Sequence, residues 1–387
     1  MVEILEFQPL IYNTEKISRQ RIEFKDLICP PYDVISPAQH KSLLRKKYNF
    51  VNLELPKGSG KIKYKNARKT LTVWKRSKVL VKDEHPSIYV YEHTFKYPED
   101  SQKVYKRTGI FCLVKADYSY EKILPHEQTK PKPLEDRMYL IKTLGVQTSP
   151  PFFLVEDSDK EFTNILSGLK KTKYLVLSFK DELGCEHKLY RVIEGIPEVN
   201  KIKNYIKQKP LYIADGHHRY KVTCEYLKEI NQEFLFGYIC SLEDEGLLIL
   251  PTHRALAEKH IIDGVRKFFE FTDWDGKSKI DIVLYICGEF KVLKLKPQYR
   301  FSEKNPYFLL DKILLQLEGE QIRQHIFYHN DIKEVISFAD KYGGCAFIMP
   351  PVSKEEFVRI IKKRIIFPPK STYFFPKVPC GLLLYEF

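Results

Sequence analysis

The ten residues Leu211 to Tyr220, reading LYIADGHHRY, constrain the fold more than any other segment. Leu211, Tyr212, Ile213 and Ala214 suit a buried strand, and the run stops abruptly at Asp215-Gly216-His217-His218-Arg219. Gly216 permits a backbone turn that other residues resist, and Val222, Cys224, Tyr226, Leu227 and Ile230 supply an apolar face for a helix over Lys221 to Ile230. The pattern predicts strand, tight turn and helix. The first turn of such a helix has N–H groups without intrahelical acceptors and the positive end of the peptide dipoles, so it favours an anion. Arg219 adds a forked permanent charge. His217 and His218 can donate to phosphate oxygens or move protons near neutral pH, and Asp215 can hold a metal ion, a donor or a neighbouring imidazole. The plainer alternative is an Asp that caps the helix beside two packed histidines.

The 387 residues allow roughly two or three domains, and a hydrophobic content of 43% with 25 Tyr and 25 Phe can build sizeable cores. The formal net charge of +14 points to an anionic partner, whether nucleic acid, anionic lipid or a phosphate-rich small molecule. Lysines are spread through the chain, as at 61–69 and 201–209, so much of this charge reads as a solvated face. No stretch approaches the roughly 20 apolar residues of a membrane-spanning helix. The start, MVEILEFQPLIYNTEKIS, lacks a basic region followed by an apolar core, and a cytoplasmic protein without a membrane partner is expected. Eight cysteines, among them Cys29, Cys112, Cys185 and Cys224, include no CxxC pair, which fits reduced core thiols rather than zinc ligation or a disulfide framework.

Along the chain, Cys29-Pro30-Pro31-Tyr32-Asp33-Val34-Ile35-Ser36-Pro37 is a proline-fixed turn leading into a helix through Leu43 and Leu44. Tyr64 to Val79 reads as a helix with Ala67, Leu71 and Trp74 on one face. Ser87 to Phe95, Thr108 to Val114, Pro151 to Val155 and Tyr174 to Phe179 read as strands. A helix is expected over Leu134 to Leu144, after the proline-rich Lys130 to Pro133, and a strand near Leu247 to Leu250. From about Glu258 the pattern becomes helix, strand, strand, helix, and the chain closes with FPPKSTYFFPKVPCGLLLYEF. Mixed element order places the chain in the α/β or α+β class, with a mixed sheet, a catalytic region over 1–257 and a carboxyl-terminal α/β region over 258–387 that can close over the site or stand apart from it.

Further residues have the chemistry of a cleft. His126 and Glu127 end the apolar run of Ile123-Leu124-Pro125-His126-Glu127-Gln128-Thr129, where Glu127 can accept a proton from an alcohol. Thr252, His253 and Arg254 form a third cluster able to bind phosphate or carboxylate. Lys370, Ser371, Thr372 and Lys377 place two lysines and two hydroxyls among aromatics, although snorkelling lysines on a strand explain them as well. Tyr32 and Asp33 can face the same cleft, or Asp33 can serve the turn alone. The chain has no G-x-x-x-x-G-K-[ST] loop, no G-x-G-x-x-G fingerprint and no protein-kinase motif set, so a phosphotransferase of this sequence is not of a common nucleotide-binding type.

Pro125-His126-Glu127-Gln128 followed by Asp215-Gly216-His217-His218-Arg219 resembles the free serine kinases of the ParB/sulfiredoxin-like superfamily. Pro30 to Ile35, Leu250 to Arg254 and Pro369 to Phe374 resemble elements of a longer, poorly characterised family that spans nearly the whole chain. The resemblance implies a ParB/sulfiredoxin-like catalytic core and phosphorylation of free L-serine to O-phospho-L-serine, a precursor usable in cysteine synthesis. It implies Glu127 as base, Gly216 and His217 as phosphate ligands, His218 and Arg219 as charge stabilisers and Asp215 as organiser of Mg²⁺. His126, Thr129, Thr252, His253, Arg254, Lys370, Ser371, Thr372 and Lys377 are the remaining substrate-binding candidates. Pyrophosphate is the expected donor ahead of ATP or ADP, and no nucleic acid takes part. The rival reading is a nucleic-acid-binding or nucleotide-switch protein of ParB-like type, against which stands the lack of a helix-turn-helix, zinc finger or aromatic RNA-binding motif.

Overall fold

The β-branched and aromatic runs of the first 250 residues pair into one nine-stranded mixed sheet. In chain order its strands are β1 (Ile4–Leu5), β2 (Ser87–Tyr97), β3 (Asp100–Lys115), β4 (Ile123–Leu124), β5 (Phe152–Val155), β6 (Tyr174–Lys180), β7 (Glu186–Ile193), β8 (Leu211–Asp215) and β9 (Phe234–Ser241). The order across the sheet is β4-β8-β5-β9-β3-β2-β7-β6, with β1 paired to β3. β4 runs parallel to β8 and β5 parallel to β9, while the other pairings are antiparallel. The structure is a computed structural model, and it describes residues 1–97, 100–129, 131–169, 173–276, 281–301 and 303–387. Lys130, at the head of the proline-rich stretch, lies outside the described residues.

Side chains alternate across the sheet with the two-residue period of a strand. On one face Ile88, Val90, Ile110, Phe153, Ile213 and Ile239 join a core with Phe162, Val199, Ile202, Tyr220 and Leu227. Those partners come from the helices Glu161–Gly168, Pro197–Lys207 and His217–Glu229. A second cluster gathers Leu10, Tyr12, Phe50, Trp74, Leu140 and Leu384. It is built on the helices Ile62–Arg76 and Pro131–Leu144 and on the last residues of the chain. Cys29 and Cys380 exchange backbone hydrogen bonds at 3.2 and 2.8 Å, Leu10 pairs with Leu384, and Tyr385 pairs with Gln147. Val378, Cys380 and Leu382 to Leu384 are all buried, which is why this short apolar tail is held.

The chain divides into two compact units, one of Met1–Pro125, Thr129–Leu247 and Pro376–Phe387, the other of His126–Gln128 and Leu248–Phe375. Where the sequence placed a boundary near residue 258, the chain changes unit after Leu247 and returns for its final segment. The second unit holds a six-stranded sheet in the order β12-β14-β13-β16-β11-β15. Its strands are β11 (His253–Leu256), β12 (Phe269–Asp273), β13 (Ile282–Ile286), β14 (Glu289–Leu295), β15 (Phe327–His329) and β16 (Cys345–Ile348). A separate two-stranded ribbon pairs β10 (Leu248–Leu250) with β17 (Tyr373–Phe375). After the helix Ile261–Phe268 come three strands before the helix Pro306–Glu318, one more than the sequence pattern suggested.

Two local differences have plain causes. The helix after β8 starts at His217 rather than Lys221, because Gly216 at φ +84° turns the chain in one residue. The helix expected from Leu134 starts at Pro131, where the missing N–H and fixed φ of proline are tolerated in a first turn. If the closing segment is an integral part of the first unit, Leu384→Ala is expected to cost about 2–5 kcal/mol in urea titrations, as for other buried Leu truncations. An unchanged midpoint would contradict the placement.

Candidate active site

The strand β8 ends at Asp215, Gly216 adopts the left-handed conformation, and His217 opens a thirteen-residue helix. A Cβ at position 216 would lie 2.9 Å from the Arg219 guanidinium, so glycine is required for space as well as for φ. Arg219 folds back over this turn, donating from Nη2 to Asp215 Oδ2 and from Nη1 to the Pro150 carbonyl, both at 2.5 Å. The other carboxylate oxygen, Oδ1, accepts from Lys377 of the closing segment. Burial opposes charge on Asp215, but Lys377 and Arg219 outweigh it and hold the carboxyl well below its usual range. Arg219 is buried too, and Asp215 counters the burial so that its guanidinium is held charged. His217 is buried at the helix start and His218 is half-buried beside it.

Behind the turn lies a polar network that sequence reasoning missed. Glu54 is fully buried, and its carboxylate accepts from Thr148 Oγ1 at 2.6 Å and Ser149 Oγ at 3.1 Å. Arg137 donates from Nη1 to the Glu54 carbonyl at 2.7 Å and from Nη2 to Asp136 Oδ2 at 2.6 Å. Its guanidinium lies 4.2 Å from the centre of the Tyr32 ring. Burial pushes the Tyr32 phenol up to about 12, with Arg137 and Arg219 acting in the opposite sense. A cavity of about 30 Å³ is lined by Arg137, Gln147, Thr148, Ser149, Arg219 and Thr223, among others, enough for one water molecule. The Pro30-Pro31-Tyr32-Asp33 turn thus belongs to the surroundings of Arg137. The signal for Arg137 was an Arg on the apolar side of the helix Pro131–Leu144.

The second unit gathers most of the remaining candidates. His126 is buried, its Nε2 lies 2.8 Å from Thr372 Oγ1, and its carbonyl accepts from Phe367 N–H at 2.9 Å. Phe357, Phe367 and Phe374 surround its ring with centroids 5.0 to 6.1 Å away. These contacts fix the backbone that carries half-buried Glu127. Thr252, His253, Arg254 and Ser371 are buried in the frame of this unit rather than on its surface. His253 Nδ1 accepts from Met349 N–H at 3.0 Å, and burial with the nearby Arg254 charge lowers its pKa to about 4. Arg254 donates to the Thr252 carbonyl at 3.0 Å between the rings of Tyr307 and Tyr328, and Ser371 donates to the Pro368 carbonyl at 2.7 Å. Lys370 is exposed. Lys377 separates from Lys370 to Thr372 and belongs to the first unit, as does half-buried Thr129.

The expected Mg²⁺ role of Asp215 does not fit this geometry. Both carboxylate oxygens already hold cationic side chains, and no group of three or more His, Cys, Asp or Glu suited to a metal ion occurs among the described residues.

Residues 4–317 match the model of a family described as protein of unknown function, DUF1015. The chain belongs to that family. No curated protein matches it. Among solved structures, a conserved hypothetical protein from Pyrococcus furiosus is similar at 16% identity and a TM-score of 0.40, covering 71% of this chain and 95% of the other. A free serine kinase variant in complex with ADP gives 14% identity and a TM-score of 0.39 over 69% of this chain and 87% of that one. SbnI with a C-terminal truncation, from Staphylococcus aureus, gives 12% identity and a TM-score of 0.43, with 71% and 87% covered.

The depressed pKa of Asp215 sets a pH test. Its stabilising effect is present above the unfolded-chain value of about 3.9 and is lost as pH falls through the lower folded-state value. Lys377→Met is therefore expected to lower stability at pH 7 by roughly 1–3 kcal/mol, less than a fully broken buried pair because Arg219 remains. The gap to wild type should narrow only as pH falls below about 4 toward the much lower folded-state value, as read in urea titrations. A gap that persists unchanged to lower pH would assign the effect to packing of the Lys377 stem instead.

Proposed function

We propose that this protein is a phosphotransferase that phosphorylates free L-serine to O-phospho-L-serine, with pyrophosphate favoured over ATP or ADP. The observation that carries the reading is the turn at Asp215 to Arg219. A left-handed glycine that lets Arg219 fold back, a helix N-terminus and a guanidinium locked by its own ion pair are the features that support phosphate binding at this turn. The Pro-His-Glu-Gln and Asp-Gly-His-His-Arg elements support serine as acceptor, and the lack of a nucleotide-binding fingerprint supports pyrophosphate as donor.

In this reading the serine hydroxyl oxygen forms the new bond to the terminal phosphorus of pyrophosphate. The bond from that phosphorus to the bridging oxygen breaks, and inorganic phosphate leaves with the electron pair. The hydroxyl proton passes to Glu127. Such transfers depend on alignment and on neutralising the charge spread over the moving phosphoryl group, more than on covalent help from protein. Gly216 and the His217 N–H are assigned to phosphate oxygens, with His218 and Arg219 assigned to developing charge. Asp215 and Lys377 are assigned to fixing Arg219 in place. Mg²⁺ is assigned to the donor as its bound counter-ion, entering with pyrophosphate. Thr129, Lys370 and Thr372 remain candidates for contact with substrate, and His126 for positioning Glu127.

Phosphorus NMR of the purified protein with L-serine and Mg²⁺, with pyrophosphate, ATP or ADP in parallel, is expected to give O-phosphoserine from pyrophosphate. No O-phosphoserine from any donor would remove the assignment, and steep salt-dependent DNA binding unaffected by serine would favour the ParB-like rival. Glu127→Gln is expected to lower turnover by roughly 10²–10⁴ without altering the circular dichroism spectrum. Near-normal turnover in that folded variant would take the base role away from Glu127.

A further inference from the structure

On the face of the nine-stranded sheet opposite the helix-packed core, Arg107 of β3 is fully buried. None of its three guanidinium nitrogens has a hydrogen-bond partner among the described residues. Its charge lies 4.9 Å from the centre of the Phe152 ring and 5.8 Å from that of Tyr238. His93, directly opposite Arg107 on β2, is 2% exposed, and neither ring nitrogen has a partner. The Tyr238 hydroxyl on β9 is equally buried, lies close enough to Arg107 to interact with it, and has no hydrogen-bond partner of good geometry among the described residues. Room for it is made by Gly109, where a Cβ would lie 2.5 Å from that hydroxyl.

The neighbouring polar groups are already satisfied. His187, its ring 4.3 Å from that of His93, bonds through Nδ1 to the Tyr91 hydroxyl at 2.6 Å and through Nε2 to Asp181 at 3.2 Å. Asp244 accepts from the backbone N–H groups of Thr108 at 2.9 Å and Gly246 at 2.7 Å. Arginine cannot shed its proton in a protein, so Arg107 is a charge without a counter-charge in hydrogen-bond reach among the described residues. The guanidinium has only donors to offer, and the phenol and imidazole each add another. Donors on three adjacent strands beside one buried cation have the chemistry that recognises an oxyanion.

We propose that Arg107, Tyr238 and His93 form an internal site for a small oxyanion, either the carboxylate of an amino acid or a phosphate. The site belongs to the first unit, and Phe152, whose ring carries Arg107, is paired with Asp215 across β5 and β8. It stands whether or not serine is the acceptor, since it follows from the unpartnered donors alone.

Isothermal titration of wild type, Arg107→Met and Tyr238→Phe at constant chloride, with inorganic phosphate, L-serine and L-serinamide as separate titrants, tests it. Wild type is expected to bind phosphate or L-serine, with affinity reduced about tenfold or more in Arg107→Met and a few-fold in Tyr238→Phe. Loss confined to L-serine, with L-serinamide binding weakly to all three proteins, assigns the site to an amino-acid carboxylate. Loss confined to phosphate assigns it to phosphate. Should Arg107→Met fail to fold, Tyr238→Phe decides alone. Affinities unchanged in the folded variants would overturn the proposal without bearing on the phosphorus NMR result, and neither titrant binding wild type would overturn it and count against the serine-kinase reading as well.

Discussion

One carboxylate organises the first unit's chemistry. Asp215 ends a buried strand and divides its two oxygens between Arg219, four residues later, and Lys377, from the end of the chain. Because the site is buried, each cation matters more than it would on the surface, and together they keep Asp215 ionised against the cost of its burial. The geometry also dictates its neighbours. Arg219 can reach back only if position 216 is without a side chain, and its second arm is received by the Pro150 carbonyl at the entry to β5. Lys377 can arrive only if the closing segment is tied down, which the Cys29–Cys380 and Leu10–Leu384 pairings do. One negative charge between two fixed positive ones leaves the turn net positive and pre-arranged, the property on which the proposed phosphoryl transfer would draw.

The second unit fixes its own candidate residue by different means. The contacts described for His126 include the side chain of Thr372, a backbone hydrogen bond from Phe367 and the rings of Phe357, Phe367 and Phe374. Aromatic packing of this kind resists displacement of the segment that carries Glu127. The Leu-Pro-Thr-His-Arg element plays a structural part in the same unit. Its Arg254 is clasped by two tyrosines and a carbonyl, and its His253 is kept neutral by burial while accepting from a backbone N–H.

Local signals made the strand–turn–helix at Leu211 to Glu229 legible in the sequence, because a glycine between an apolar run and an amphipathic stretch leaves few other folds. The strands β2 and β5 were legible from β-branched and aromatic content, as was the second half of β3, which begins at Asp100 rather than at the expected Thr108. What the sequence left open was long-range. The strand Phe234–Ser241, now central in the sheet, is nearly continuous in apolar residues and so has no alternation to mark it, and Gly237 within it is explained only by contact with Phe153 and Val114. Lys370 and Lys377 are close in sequence but are assigned to different units, something spacing cannot reveal. Glu54 and Arg107 are buried at positions that nothing local marks as interior, whereas the place of Arg137 on the apolar side of its helix was a signal that could have been read.

The most direct test of phosphoryl transfer to the acceptor alcohol uses L-serine labelled with ¹⁸O in its hydroxyl, with product oxygen followed by the isotope shift in phosphorus NMR. The account predicts O-phosphoserine that retains the label fully in the bridging C–O–P oxygen, because the serine oxygen is the attacking atom and its carbon–oxygen bond is never broken. Loss of label from the bridging position, or no labelled product at all, would contradict it.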